Sequence, residues 1–104
     1  MQQVVALGED SPVIRLFKAL ANPVRATIIH RLTQGSADVT ELVELTGVSQ
    51  PLVSHHLRVL REAHLVEARR DGRRQSYSII DEHVAHIVLD AIKHTKEHDH
   101  DCHH

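Results

Sequence analysis

Apolar residues recur at helical spacing in five stretches of the chain and at alternating spacing in one, and the change of period sets out the architecture. Val13, Leu16, Phe17 and Leu20 share a face of a first helix, which Ser11 caps and Pro12 opens, where a missing N–H costs nothing. Asn22-Pro23 ends that helix and starts a second, whose buried stripe is Val24, Ile28, Ile29 and Leu32 and whose stop is Gly35. Asp38 begins a short third helix. Glu41, three residues on, completes the pattern of a capping box, Leu42, Val43 and Leu45 point inward, and Gly47 breaks the helix. Ser49 caps a fourth helix running to about Glu62, with Leu52, Val53, Leu57 and Leu60 inward and Gln50, Ser54, His55, Arg58 and Arg61 outward. Two helices joined by a tight glycine turn, the second with a polar and basic face, form a helix-turn-helix pattern.

The period then switches to two. Leu65-Val66-Glu67-Ala68-Arg69-Arg70 and Arg73-Arg74-Gln75-Ser76-Tyr77-Ser78-Ile79 read as the strands of a β-hairpin, with Asp71-Gly72 as a two-residue turn of positive φ. Helical spacing returns from Asp81, with Val84, Ile87, Val88 and Ala91 on one stripe. The ending HDHDCHH keeps only Cys102 as an apolar residue and is expected to fray.

Composition narrows the picture. With 104 residues the chain is expected to be a single domain over residues 1–97 with a His-rich flexible tail at 98–104. Phe17 and Tyr77 are the only aromatics, so Leu, Val, Ile and Ala must build the core, and dimerisation would help so small a core. No apolar run reaches the roughly 18 residues of a membrane span, and the N-terminus has neither a basic start nor a long apolar stretch. The lone Cys102 cannot form an internal disulfide. A cytoplasmic protein with no membrane partner is expected. The net charge of −2 is unevenly spread: residues 1–57 carry −1, residues 58–80 carry +3 and residues 81–104 carry −4. The middle block owes its charge to Arg58, Arg61, Arg69, Arg70, Arg73 and Arg74, whose forked donors suit phosphates. The acidic end holds seven of the 11 histidines, a supply of ligands for a cation. No Gly-rich phosphate loop, paired nucleophile and base, or long loop to hold a small organic substrate is present, so an enzyme is not expected.

FKALANPVRATIIHRL, VTELVELTGVSQPLVSHHLRVLREAHLV and RRDGRRQSYSIIDEHVAHIVLDAIKH, in that order over residues 13–97, resemble the ArsR/SmtB family of metal-responsive winged-helix repressors. The S-x-x-x-x-S-H-H-L-x-x-L run is the most specific part. The resemblance implies a mainly α, winged helix-turn-helix fold with one β-hairpin wing and a C-terminal dimerisation helix. It further implies that the helix from 49 to 61 enters the major groove of operator DNA while the wing lies along the backbone. Gln50, Ser54 and His55 are then candidates for base edges and phosphate positioning, and Arg58, Arg73 and Arg74 for phosphates. His56, beside them, is expected to pack or cap. Some members sense metal through a Cys-x-Cys pair in the third helix or through ligands near the N-terminus. The segment TELVELTG has no Cys, so those sites do not transfer. The family's C-terminal pattern D-x-H-x10-H-x2-E/H does, as Asp81, His83, His94 and Glu97.

The spacing of these four says how they meet. His83 and His94 return to nearly the same helix face but stand roughly 16 Å apart along the axis, and Zn–N bonds of about 2.0 to 2.1 Å cannot collect both from one helix. Antiparallel packing of two copies about a two-fold axis puts Asp81 and His83 of one protomer beside His94 and Glu97 of its mate, with Val84, Ile87, Val88 and Ala91 as the seam of a homodimer. Two imidazoles and two carboxylates suit Zn(II) and also Co(II). His98, His100, Cys102, His103 and His104 offer ligands that would expand the site towards Ni(II) or Co(II), as in nickel sensors of the family, while His86 and Asp90 suit solvated or outer positions.

The resemblance thus implies a repressor that binds its operator metal-free, is released by Zn(II) and so derepresses metal efflux or sequestration genes. It also implies that metal-bound His94 couples to DNA through a hydrogen bond to the backbone carbonyl of His64, against which stands the simpler reading that His64 only ends its helix. Two other readings remain beside this one. One is a metal buffer or chaperone using the His-rich tail, and the other is a winged-helix repressor without metal response.

Overall fold

A computed structural model of the chain describes residues 4–99. Its elements follow in the order α1 (Pro12–Leu20), α2 (Pro23–Leu32), β1 (Ala37–Asp38), α3 (Val39–Thr46), α4 (Gln50–Glu62), β2 (Val66–Asp71), β3 (Arg74–Ile79) and α5 (Glu82–Asp99). This is the expected mainly α winged helix-turn-helix, with one addition. The two residues of β1, which give no alternating signal in so short a run, pair antiparallel with β3 through Ala37↔Tyr77 and Asp38↔Ser76, making a three-stranded sheet in the order β1-β3-β2.

Side-chain caps start the helices where the sequence pattern puts them. Ser11 accepts from the Ile14 N–H at 3.4 Å, and Asn22 from those of Val24 and Arg25 at 2.9 and 3.1 Å. Asp38 and Glu41 close a full capping box at 2.9 and 3.2 Å, and Ser49 accepts from the Leu52 N–H at 3.3 Å. Each such cap contributes on the order of 1 kcal/mol. The second helix stops earlier than expected. It ends at Leu32 with Thr33 as its cap, and Gly35, at φ 135°, turns the chain beyond it towards β1.

Ile28, Ile29 and Leu32 of α2 meet Leu42, Val53, Leu57 and Leu60 of the helix-turn-helix, with Leu65, Val66 and Tyr77 closing the sheet side. Burying each Leu or Ile here is worth about 1.5–3 kcal/mol relative to exposure. Several expected inward positions are not inward. Leu45 and Leu52 are 49% and 41% exposed, because α3 and α4 each bury a stripe narrower than their apolar residues span. Val84 and Val88 are buried in the protomer's own core, so of the stripe expected as a dimer seam only Ile87 and Ala91 stay exposed. They join Ile92 on α5, and Phe17, Leu20 and Ala26 on α1 and α2, in an apolar groove of about 330 Å3.

The hairpin turn is also displaced by one residue. Asp71 pairs with Arg74, leaving Gly72-Arg73 as the loop. Positive φ at Gly72 alone, 65°, follows the II′ pattern, which needs glycine only at the first loop position. α5 continues through His98 to Asp99, while His100, Cys102, His103 and His104 of the expected tail lie outside the described residues. Among the described residues no helix is long and apolar enough to cross a membrane.

Candidate nucleic-acid interface and metal ligands

Gly47, at φ 74°, ends α3 in the left-handed conformation, and the turn to Ser49 sets α4 across it. α4 buries Val53, His56, Leu57 and Leu60, which leaves Gln50, Ser54 and Arg58 in an exposed row four residues apart with His55 beside them. All four expected contact residues of this helix therefore share its solvent side. His56 packs, as expected. It accepts from Arg25 Nη1 at 3.1 Å through Nδ1, while Arg25 Nε donates to the Ala19 carbonyl at 2.7 Å, so one guanidinium joins the end of α1 to the middle of α4. Burial first, then the charges of Arg25 and His55, lowers the His56 pKa below its ordinary value. Nothing in the pattern of NPVR marks Arg25 as its partner.

α4 ends in a Schellman arrangement: His64 N–H donates to the Arg61 carbonyl at 3.0 Å and Leu65 N–H to the Leu60 carbonyl at 2.9 Å. His64 occupies the left-handed position at φ 59°, where glycine is the usual residue. It does terminate the helix, and its ring is exposed.

Arg69, Arg70 and Arg73 are exposed around the wing tip. Arg74 is differently placed. Its Nε and Nη2 donate to Asp38 Oδ2 at 3.1 and 2.6 Å, and Nη2 stands 3.6 Å from Glu41. The Asp38 carboxylate is held below its ordinary pKa by the Glu41 N–H and then by Arg74, and Arg74 is correspondingly raised. This engagement is invisible in the sequence because 36 residues separate the pair.

At the start of α5, Asp81 Oδ1 accepts from the Val84 N–H at 3.2 Å, an N-cap contact made by one of its two carboxylate oxygens. His83, the second residue of α5, is exposed, and His94 and Glu97 are exposed near the far end of the helix, where the rings of His94 and His98 lie 4.5 Å apart. His86 and Asp90 are exposed between them. Within one chain, no three His, Cys, Asp or Glu among the described residues converge to hold an ion. The four residues expected as ligands fit a metal by their chemistry, imidazole with carboxylate, but a single helix keeps its two pairs apart.

Comparison with known proteins agrees with this geometry. The family described as bacterial regulatory protein, arsR family, matches residues 22–68. The HTH-type transcriptional repressor SmtB of Mycobacterium tuberculosis is 48% identical over 82 residues, 79% of this chain and 61% of that protein, so this chain spans about three fifths of that relative's length. The HTH-type transcriptional regulator NmtR of the same species is 46% identical over 84 residues, 81% of this chain and 70% of that protein. A homodimeric winged helix-turn-helix DNA-binding domain from Mycobacterium bovis, solved by solution NMR, superposes with a TM-score of 0.82 at 39% identity, covering 89% of this chain and 86% of that one. From the helix-turn-helix, the arginine-edged wing and these likenesses, we conclude that the chain belongs to the ArsR family of bacterial regulatory proteins.

Proposed function

We propose that this chain is a metal-responsive transcriptional repressor that acts as a homodimer on a pseudo-palindromic operator. The observation that carries the reading is the exposed row of Gln50, Ser54, His55 and Arg58 on a helix whose other face is locked into the core, beside a wing bearing Arg73. Base edges fall to Gln50, Ser54 and His55, and phosphates to Arg58 and Arg73. The apolar groove between α1 and α5 takes a second copy, and the likeness to a homodimeric domain supports this. The protein would work in the cytoplasm, with the DNA.

Asp81 and His83 of one protomer with His94 and Glu97 of its partner are the proposed metal ligands, and Zn(II) is the proposed effector. Bound there, the ion supplies a crosslink between the two α5 helices. The metal-free dimer binds the operator, and filling these ligands lowers that affinity, with the backbone carbonyl of His64 receiving a hydrogen bond from His94. The resemblance of the C-terminal pattern to that of metal-responsive family members supports metal sensing, and the choice of Zn(II) rests on the donor set. A second reading, Ni(II) or Co(II), is favoured by one observation: the ring of His98 lies beside that of His94, centroids 4.5 Å apart, and would offer a further imidazole.

Binding of the full chain to a duplex from the gene's own upstream region, against a scrambled duplex, tests the DNA half. Neutralising about four phosphates per dimer, by Arg58 and Arg73 of each protomer, gives a slope of log K against log salt of about −3.6. Equal affinity for both duplexes with no salt dependence would overturn it.

A further inference from the structure

Arg74 sits at the meeting of wing and helix-turn-helix in a chain of alternating charges. Arg31 Nη1 donates to the Gly35 carbonyl at 3.0 Å and Nη2 to Glu41 Oε2 at 3.3 Å. Glu41 Oε1 accepts from the Asp38 N–H, Asp38 Oδ1 accepts from the Glu41 N–H, and Asp38 Oδ2 takes two donors of Arg74. The N-cap of α3 is thus also the anchor of β3, and β1 adds backbone pairing at Asp38↔Ser76. Asp71 lines the same pocket. Asp38, Glu41 and Asp71 therefore gather around the Arg74 guanidinium, and a phosphate approaching it would meet their negative charge. Single exposed ion pairs contribute little, but a network with a shared two-donor contact has a defined geometry.

We propose that Arg74 is a positioning residue rather than a phosphate contact: tied to Asp38, it sets the angle of the wing against the helix-turn-helix and so aims Arg73 and its neighbours at the backbone. This rests on the DNA-binding reading above, but the clamp itself can be tested without DNA.

The test compares the full chain with Arg74→Gln, Asp38→Asn and the double variant. Asparagine caps a helix about as well as aspartate, so Asp38→Asn weakens the clamp and keeps α3. Operator affinity should fall about two- to fivefold in each single variant, with no further loss in the double and with the wild-type salt slope retained. Wing amides of β2 and β3 should exchange hydrogen faster in both variants in the absence of DNA. A phosphate-binding Arg74 would behave oppositely: Arg74→Gln would reduce the salt slope by about 0.9 for each phosphate no longer neutralised, and Asp38→Asn, by freeing Arg74, would leave affinity unchanged or tighter. That pattern, or no change in affinity in either variant, overturns the proposal. If the wild type binds no duplex, the DNA reading fails on its own, and unchanged amide exchange in both variants would then overturn the clamp.

Discussion

Nη1 of Arg25 stands 3.1 Å from Nδ1 of His56, and a guanidinium can only donate, so His56 accepts at Nδ1 and is neutral, with its proton on Nε2. The ring is 7% exposed and lies on the buried face of α4, directly behind the row proposed to read DNA. The attitude of that helix therefore depends on an uncharged imidazole.

A pH dependence follows. The folded state lowers the His56 pKa from its ordinary 6.5, so between the two values the unfolded chain binds the extra proton. The contribution of this group is full above pH 6.5 and is lost as pH falls towards the folded value. Urea unfolding at pH 7.5 and 5.5 should show a smaller drop in midpoint for His56→Gln, which cannot be protonated, than for the wild type. Identical drops would mean that His56 plays no part in the acid sensitivity.

Core and surface leucines on α4 should separate cleanly. Leu57 is 1% exposed and Leu52 41%, so Leu57→Ala should cost about 2–5 kcal/mol in unfolding free energy, and Leu52→Ala within about 0.5–1 kcal/mol. Comparable losses measured by chemical denaturation would contradict the position of α4 on the core.

His64 carries a conformational cost of about 1 kcal/mol or more in the left-handed region, so His64→Gly should raise stability by up to about 1 kcal/mol. The proposed coupling uses the backbone carbonyl, which glycine retains. Metal-driven release of DNA should accordingly persist in this variant, and its loss would show that the His64 ring, not the carbonyl, is needed.

Ligand sharing between protomers makes a complementation prediction. A chain with Asp81→Ala and His83→Ala has no complete site as a homodimer, and neither has one with His94→Ala and Glu97→Ala. In the heterodimer the intact halves meet once, so calorimetric Zn(II) titration of the purified heterodimer should recover half of the wild-type stoichiometry. Failure to recover any site would mean that the ligands are not shared in this way.

Much of this was legible because local chemistry determines it. Ser11, Asn22, Asp38 and Ser49 cap where they stand, and the periods of α2 and α4 report their buried stripes. The differences are tertiary. Whether Leu45, Leu52, Val84 or Val88 is covered depends on what packs opposite, and periodicity shows only that a face exists. The turn moved by one residue because Asp71-Gly72 and Gly72-Arg73 both place glycine at a loop position, and pairing across the sheet chose between them. The outward face of α4 was legible from spacing and its role from the family resemblance, but the contacts behind it and behind the wing, Arg25 to His56 and Asp38 to Arg74, span 31 and 36 residues. No local pattern encodes those contacts.

The central claim is that this dimer binds DNA and lets go in response to metal at α5. Fluorescence anisotropy on a labelled duplex from the gene's upstream region, titrated with the metal-free protein and again with stoichiometric Zn(II), tests it most directly. The account predicts tight metal-free binding and a loss of about 5- to 150-fold with Zn(II), the range of an ordinary allosteric coupling. Tight binding that neither Zn(II) nor Ni(II) alters would contradict it.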